Sequence, residues 1–134
     1  AISKNLGVGK RETLKIKYTF DLFDKKGSPK IFNAILPVIS ELAGEIKKNL
    51  SYWQDRPETK SGIERIFLFG GDANLFGLSE YLQNETGVSV SLANPWVNFK
   101  FPPKYLPPIK YKDSLRFTSA IGLSLEALDK EKIW

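Results

Sequence analysis

The sequence predicts an α/β fold, and three neighbouring stretches predict it. A short apolar run, Ile66-Phe67-Leu68-Phe69, leads into the glycine pair Gly70-Gly71. Between Gly77 and Gly87, apolar residues recur at helical spacing at Leu78, Tyr81 and Leu82. A second run, alternating at Val88, Val90 and Leu92, then ends at Asn94-Pro95. Strand, glycine loop, helix and strand in that order form the core of a βαβ unit. The unbroken apolar character of Ile66–Phe69 further predicts a strand covered on both faces, as in a buried parallel sheet.

The glycine pair sits where a parallel strand ends, which is where open α/β sheets bind ligands. Without Cβ atoms the backbone there turns sharply, accepts positive φ and lets a flat or anionic ligand approach. The helix start downstream adds N–H groups that favour an anion. A tight structural turn would use the same glycines, and the pattern alone leaves both readings open.

The elements follow in chain order. Ala1–Leu6 reads as the tail of a helix ending at Gly7, and a start on alanine instead of methionine is consistent with a fragment or a trimmed chain. Leu14, Ile16, Tyr18 and Phe20 alternate as in a strand, while Leu14, Tyr18 and Leu22 also share one helical face. Asp24–Gly27 is a turn. Ser28-Pro29 opens a helix, serine as cap and proline at the first helical position. The stripe Ile31, Phe32, Ile35, Leu36, Ile39, Leu42, Ala43, Ile46, Leu50 and Trp53 sustains it. Pro37 removes a backbone donor and predicts a kink near Asn33–Pro37. The helix must stop before Arg56-Pro57, because the residue preceding proline disfavours α geometry.

Pro57–Gly62 is a polar linker into the first strand. The chain therefore divides into a helical part, about 8–56, and a part of about 57–134 holding the strand–helix–strand core. Past Asn94 the prolines of Phe101-Pro102-Pro103 and Leu106-Pro107-Pro108 exclude helix interior and central strand. This stretch reads as a stiff crossover held by Phe99, Phe101 and Tyr105, or as a docking segment for an aromatic groove. Asp113 or Ser114 caps a final helix with Phe117, Ile121, Ser124 and Leu128 on one face, and Glu126–Trp134 is a charged tail. There is no internal repeat.

Composition narrows the chemistry. The 134 residues suffice for one modest core, and 42% hydrophobic with 13% aromatic residues marks a globular chain. No apolar run approaches membrane-spanning length. The sequence has no cysteine and no histidine, so disulfides, thiolate chemistry, histidine triads and histidine-based zinc sites are all excluded. The charge of +5 lies entirely in residues 1–60, with 12 Lys/Arg against 7 Asp/Glu, whereas residues 61–134 hold 8 of each. Lys4, Lys10, Arg11, Lys15 and Lys17 are interleaved with Glu12 and form no recognition motif. They read as a solvated face, not as a nucleic-acid surface.

Phe69-Gly70-Gly71-Asp72-Ala73-Asn74-Leu75-Phe76-Gly77-Leu78 resembles the adenosine motif of the actin-like (ribonuclease H-like) ATPase superfamily. Upstream, Leu42–Trp53 resembles the long helix that precedes that motif. Downstream, Asn94-Pro95-Trp96 and Ser119-Ala120-Ile121-Gly122-Leu123-Ser124-Leu125 follow in the order and rough spacing of the PilM family. PilM proteins are actin-like proteins of type IV pilus assembly related to the division protein FtsA. Asp72 departs from a usual small residue and Phe76 from a common proline. The resemblance spans nearly the whole chain but only the C-terminal part of such a protein, most of its second lobe. It places a helix over the ambiguous stretch around Leu14–Phe23.

What the resemblance implies is a half-site. Gly70, Gly71, Asp72, Ala73 and Asn74 would face ATP, and Lys47, Lys48 and Ser51 would line the adenine and ribose side, as two basic residues, leucine and serine do in heat-shock chaperone ATPases. Lysine stems can cover a base while the ammonium stays wet. The same lysines would also suit a helix C-terminus. Ser119, Ala120 and Gly122 resemble the helix that crosses its counterpart at the hinge between lobes, or simply pack. Phosphate loops and Mg²⁺ carboxylates come, in the family, from segments preceding Ala1. The chain alone shows no catalytic residue and no metal ligand set, and phosphoryl transfer needs both. The implied whole is a cytoplasmic ATP-binding scaffold that meets the inner membrane through the tail of PilN. An FtsA-like division protein, or a basic module binding nucleic acid, are the alternatives.

Two expectations follow. The 134-residue chain should bind Mg-ATP weakly or not measurably, without magnesium dependence. Calorimetry checks this, and a low-micromolar constant abolished by chelation would contradict it. An actin-like lobe has about five strands where this chain offers two, so an unpaired strand edge predicts self-association by edge pairing or exchanged segments. Folding Thr13–Phe20 onto that edge is the intramolecular alternative.

Overall fold

A computed structural model describes residues 29–54, 56, 62–100 and 108–131, together with residues 7, 9, 11, 22, 102, 104 and 105. The readings made for Ala1–Leu6, for Leu14–Phe20 and for Asp24–Lys26 lie outside these residues.

Helix α1 spans Pro29–Gln54 and passes through Pro37 as one continuous element, its periodic stripe burying Ile35, Ile39, Ala43 and Leu50. Burying each large aliphatic side chain is worth roughly 1.5–3 kcal/mol, enough to outweigh the backbone hydrogen bond that proline removes. The helix ends before Arg56, whose guanidinium stacks over the rings of Tyr52 and Trp53 at 4.5 and 4.9 Å and donates to the Tyr52 hydroxyl.

Strands β1 (Arg65–Leu68) and β2 (Ser89–Leu92) pair in parallel, with Ile66 opposite Val90 and Leu68 opposite Leu92. Helix α2 (Leu78–Thr86) makes the crossover, and glycines punctuate it at both ends. Gly77 (φ 83°) and Gly87 (φ 71°) are both left-handed, and the Gly87 amide closes the last turn onto the Gln83 carbonyl. Only glycine adopts that conformation freely, which is why the helix begins and ends where it does. Val90 also receives a side-chain partner, its amide donating to Gln83 Oε1 at 3.2 Å.

Helices α1 and α2 run in the same direction. The hydroxyls of Ser40 and Tyr81 share a hydrogen bond of 3.0 Å, and one turn or two further along Lys47 Nζ meets Glu85 Oε2 at 2.7 Å. Both ends of that ion pair are largely exposed, so it contributes ~0–1 kcal/mol and orients more than it stabilises. Between the helices and the sheet lies one core of Leu22, Ile35, Ile39, Ala43, Leu75, Leu78, Leu82 and Val90, with Ile66 and Leu68 packed against it.

Several expectations are corrected. β1 is covered on one face only: Ile66 and Leu68 turn to the core, while Phe67 and Phe69 are each 57% exposed. The apolar run is therefore not the mark of a doubly covered strand. Asp113 and Ser114 do not cap the last helix; they lie inside a helical turn, α3 (Tyr111–Ser114), which passes through a 3₁₀ turn at Leu115–Phe117 into α4 (Thr118–Glu131). Helix thus continues into the stretch read as a charged tail. Phe117 is 44% exposed and Ser124 is exposed, whereas the fully buried residues of this segment are Ser114 and Leu115. Tyr105 is half exposed, its amide donating to the Pro102 carbonyl at 2.8 Å.

The core and the outer face should respond oppositely to truncation. Leu82 is fully buried, so Leu82→Ala should cost about 2–5 kcal/mol in urea unfolding. Phe67→Ala, on the exposed face, should change stability by about 0.5 kcal/mol or less. A comparable cost for both would mean that the outer face of β1 is packed.

Candidate functional site

The site forms where β1 runs out. Gly70 takes φ 97° and ψ 168°, a conformation closed to other residues, and turns the chain out of the sheet. Gly71–Asn74 then make a 3₁₀ turn, with the Ala73 amide donating to the Gly70 carbonyl at 3.3 Å and the Leu75 amide to the Asp72 carbonyl at 3.1 Å. Ala73 and Leu75 point into the protein and anchor the turn, while Gly71 and Asp72 stay exposed. Gly71, unlike Gly70, has no positive φ, and a Cβ built on it meets no atom within 4 Å. The space in front of Gly71 is open.

A second segment holds the loop from the other side. The Gly70 amide donates to the Leu115 carbonyl at 2.9 Å, and Asn74 Nδ2 donates to the Lys112 carbonyl at 2.6 Å. The Asn74 Oδ1 atom is itself buried without a protein partner. Tyr111 ties the same segment to the end of β2, its hydroxyl donating to the Ala93 carbonyl at 2.7 Å. Buried Ser114 closes the turn on itself through Oγ and the Tyr111 carbonyl, 2.6 Å apart. The result is a loop fixed by three elements: β1, α2 and the α3 turn.

Beside it opens a cleft of about 130 Å³, lined by the loop residues Ala73–Gly77 and by Ser79, Glu80, Leu92 and Lys112. The lining sets a carboxamide, a serine hydroxyl, a carboxylate and a lysine beside the backbone of the loop. Among the described residues no group of three or more acidic residues is placed to hold a metal ion.

The remaining site candidates lie elsewhere. Lys47, Lys48 and Ser51 are exposed on the last turns of α1. Lys47 pairs with Glu85 in the last turn of α2, whereas the glycine loop precedes that helix's first turn. From Leu78 to Glu85 the helix rises by about 10 Å. The structure thus gathers Gly70–Asn74 with Lys112 and Leu115, and holds Lys47 at the opposite end of α2. Ser119, Ala120 and Gly122 are exposed along α4. Lys112 and Leu115 escaped sequence reasoning because they act through backbone carbonyls, which no residue type announces. The only sequence signal nearby was the turn chemistry of Asp113 and Ser114.

The chain is matched over residues 23–128 by the family model of the type IV pilus assembly protein PilM. A solved structure, the PilM-PilN type IV pilus biogenesis complex, superposes on it with a TM-score of 0.68 at 25% sequence identity. The superposition covers 93% of this chain and 34% of that chain, so the sequence spans about a third of the relative it resembles. Curated protein sequences yield no match. The described residues include no helix long and apolar enough to cross a membrane. With a family match over most of its length and the fold to go with it, the chain belongs to the PilM family of type IV pilus assembly proteins.

Proposed function

We propose that this chain is the nucleotide-facing part of an ATP-binding scaffold in type IV pilus assembly, and that its full-length form engages PilN. The observation that carries the reading is the agreement with the PilM-PilN complex over 93% of the chain. The solved relative is seen with PilN, which makes PilN the expected partner here and a membrane-associated position, reached through that partner from the cytoplasm, the expected location.

The loop fits the adenosine side of a nucleotide. Gly71 presents backbone with open space before it, Ala73 and Leu75 anchor the turn from behind, and Gly70–Leu115 keeps the turn from collapsing. A preorganised backbone loses little entropy on binding, which is what a ligand-facing loop requires. Within this chain, then, Gly70–Asn74 would position the nucleoside. Lys47, Lys48 and Ser51 would contribute only if the remainder of the protein brings the ligand across the far end of α2.

Two outcomes test the reading. A peptide carrying the cytoplasmic tail of PilN, titrated into the full-length protein, should bind saturably, and a scrambled peptide should not. Absence of binding by the native tail would contradict the assignment of partner. Gly71→Val in the full-length protein should preserve the fold, since φ there is not positive, and lower ATP affinity by about tenfold or more by filling the open space. Undiminished affinity in a folded variant would reduce the loop to a structural turn.

A further inference from the structure

The Leu115 carbonyl serves two parts of the protein at once. It accepts from the Gly70 amide at 2.9 Å, which fixes the end of β1. It also accepts from Thr118 Oγ1 at 2.9 Å, at the start of α4. Tyr111–Ser114 and Thr118–Glu131 are α-helical, and Leu115–Phe117 between them form a 3₁₀ turn. In an unbroken α-helix the same carbonyl would accept from the Ser119 amide, four residues on. The bond that holds the loop therefore competes with the bond that would make α3 and α4 one helix.

A 3₁₀ stretch between two helical segments is either a plain connector or a hinge. Two observations at this one favour the hinge. A threonine hydroxyl bonded back onto a carbonyl of the preceding turn weakens the α ladder and bends a helix, and Thr118 does this at the break itself. Asn74, whose Nδ2 bonds to the Lys112 carbonyl beside the break, leaves its Oδ1 buried without a partner. The clamped arrangement thus carries an unsatisfied acceptor, a cost that release of the loop would relieve.

We propose that Leu115–Phe117 is a joint with two settings, and that Thr118 is the positioning residue that keeps it in the one seen here. In this setting the Leu115 carbonyl belongs to the loop, and Gly70–Asn74 are held. In the other, the turn winds into α geometry, the carbonyl passes to the Ser119 amide, and the loop is released. Each residue turns the chain by about 120° in a 3₁₀-helix and by about 100° in an α-helix. Rewinding the three residues swings α4 by about 60° around its axis and shortens the joint by about 1.5 Å. The setting of α4 and the order of the loop are one variable, so whatever turns α4 sets the affinity of the loop for its ligand. The joint stands on hydrogen bonds within this chain, while its effect on a ligand rests on the reading of Gly70–Asn74 as nucleotide-facing.

Two substitutions separate the Thr118 hydroxyl from the shape of the side chain. Thr118→Val keeps the branch and removes the donor; Thr118→Ser keeps the donor. In native-state hydrogen exchange on the full-length protein, Thr118→Val should speed exchange at Gly70 by about tenfold or more and slow it at Ser119, with Leu82 unchanged. Thr118→Ser should exchange as wild type does. Calorimetry should show Thr118→Val binding ATP about threefold or more weakly, because the competent setting is less populated. Unchanged exchange at Gly70 in Thr118→Val, faster exchange at Gly70 and Ser119 together, or the same change in Thr118→Ser would each overturn the joint. Full ATP affinity in a Thr118→Val protein with Gly70 released would overturn its coupling to the ligand. A wild type that binds no ATP, with the exchange pattern as expected, would remove the nucleotide reading and leave the joint standing.

Discussion

The hydrogen bond from the Gly70 amide to the Leu115 carbonyl joins parts of the chain that are forty-five residues apart at the one place where the sheet ends. A strand leaving a parallel sheet through a positive-φ glycine has lost its ladder partner, and its amide needs an acceptor. Leu115 supplies it, and does so from a segment whose side chain is fully buried, so the acceptor cannot drift. The Asn74 bond to Lys112 repeats the arrangement four residues on. Together they make the α3 turn and the 3₁₀ turn that follows it the back wall of the loop, and leave the open space on the Gly71 side.

This division of labour accounts for the shape of the protein. Hydrophobic burial is concentrated between α1, α2 and the inner face of β1 and β2. The loop draws its order from hydrogen bonds and from the two anchors Ala73 and Leu75. The outer face of the sheet receives neither. A sheet with one bare face is common among antiparallel proteins and rare among parallel ones, which are ordinarily covered on both sides. The exposed Phe67 and Phe69 are therefore the feature of this chain that most calls for a covering surface.

Much of this was legible in the sequence, and for identifiable reasons. The stripe from Ile31 to Trp53 is long enough that α1 could be read despite Pro37. Gly77 and Gly87 bracket α2 to the residue, because a left-handed cap leaves glycine little competition. The loop Gly70–Asn74 was found by its glycines and its resemblance to a known motif. Coverage of β1 was misread because an apolar run cannot say whether its second face is buried within the chain or against something else. The start of the last helix was misread because Asp113 and Ser114, good caps, spend their side chains inside the turn, on Arg116 and on the Tyr111 carbonyl. The clamp itself, built from carbonyls of Lys112 and Leu115, left no trace in residue types at all.

The loop is held from both sides, and native-state hydrogen exchange of the Gly70 amide measures that directly. If Leu115 accepts its hydrogen bond as described, this amide should exchange only through the large-scale opening that also releases the Leu82 amide in α2. Exchange of Gly70 at the rate of an exposed loop, with Leu82 still protected, would mean that the loop is free of the α3 turn and would contradict the account.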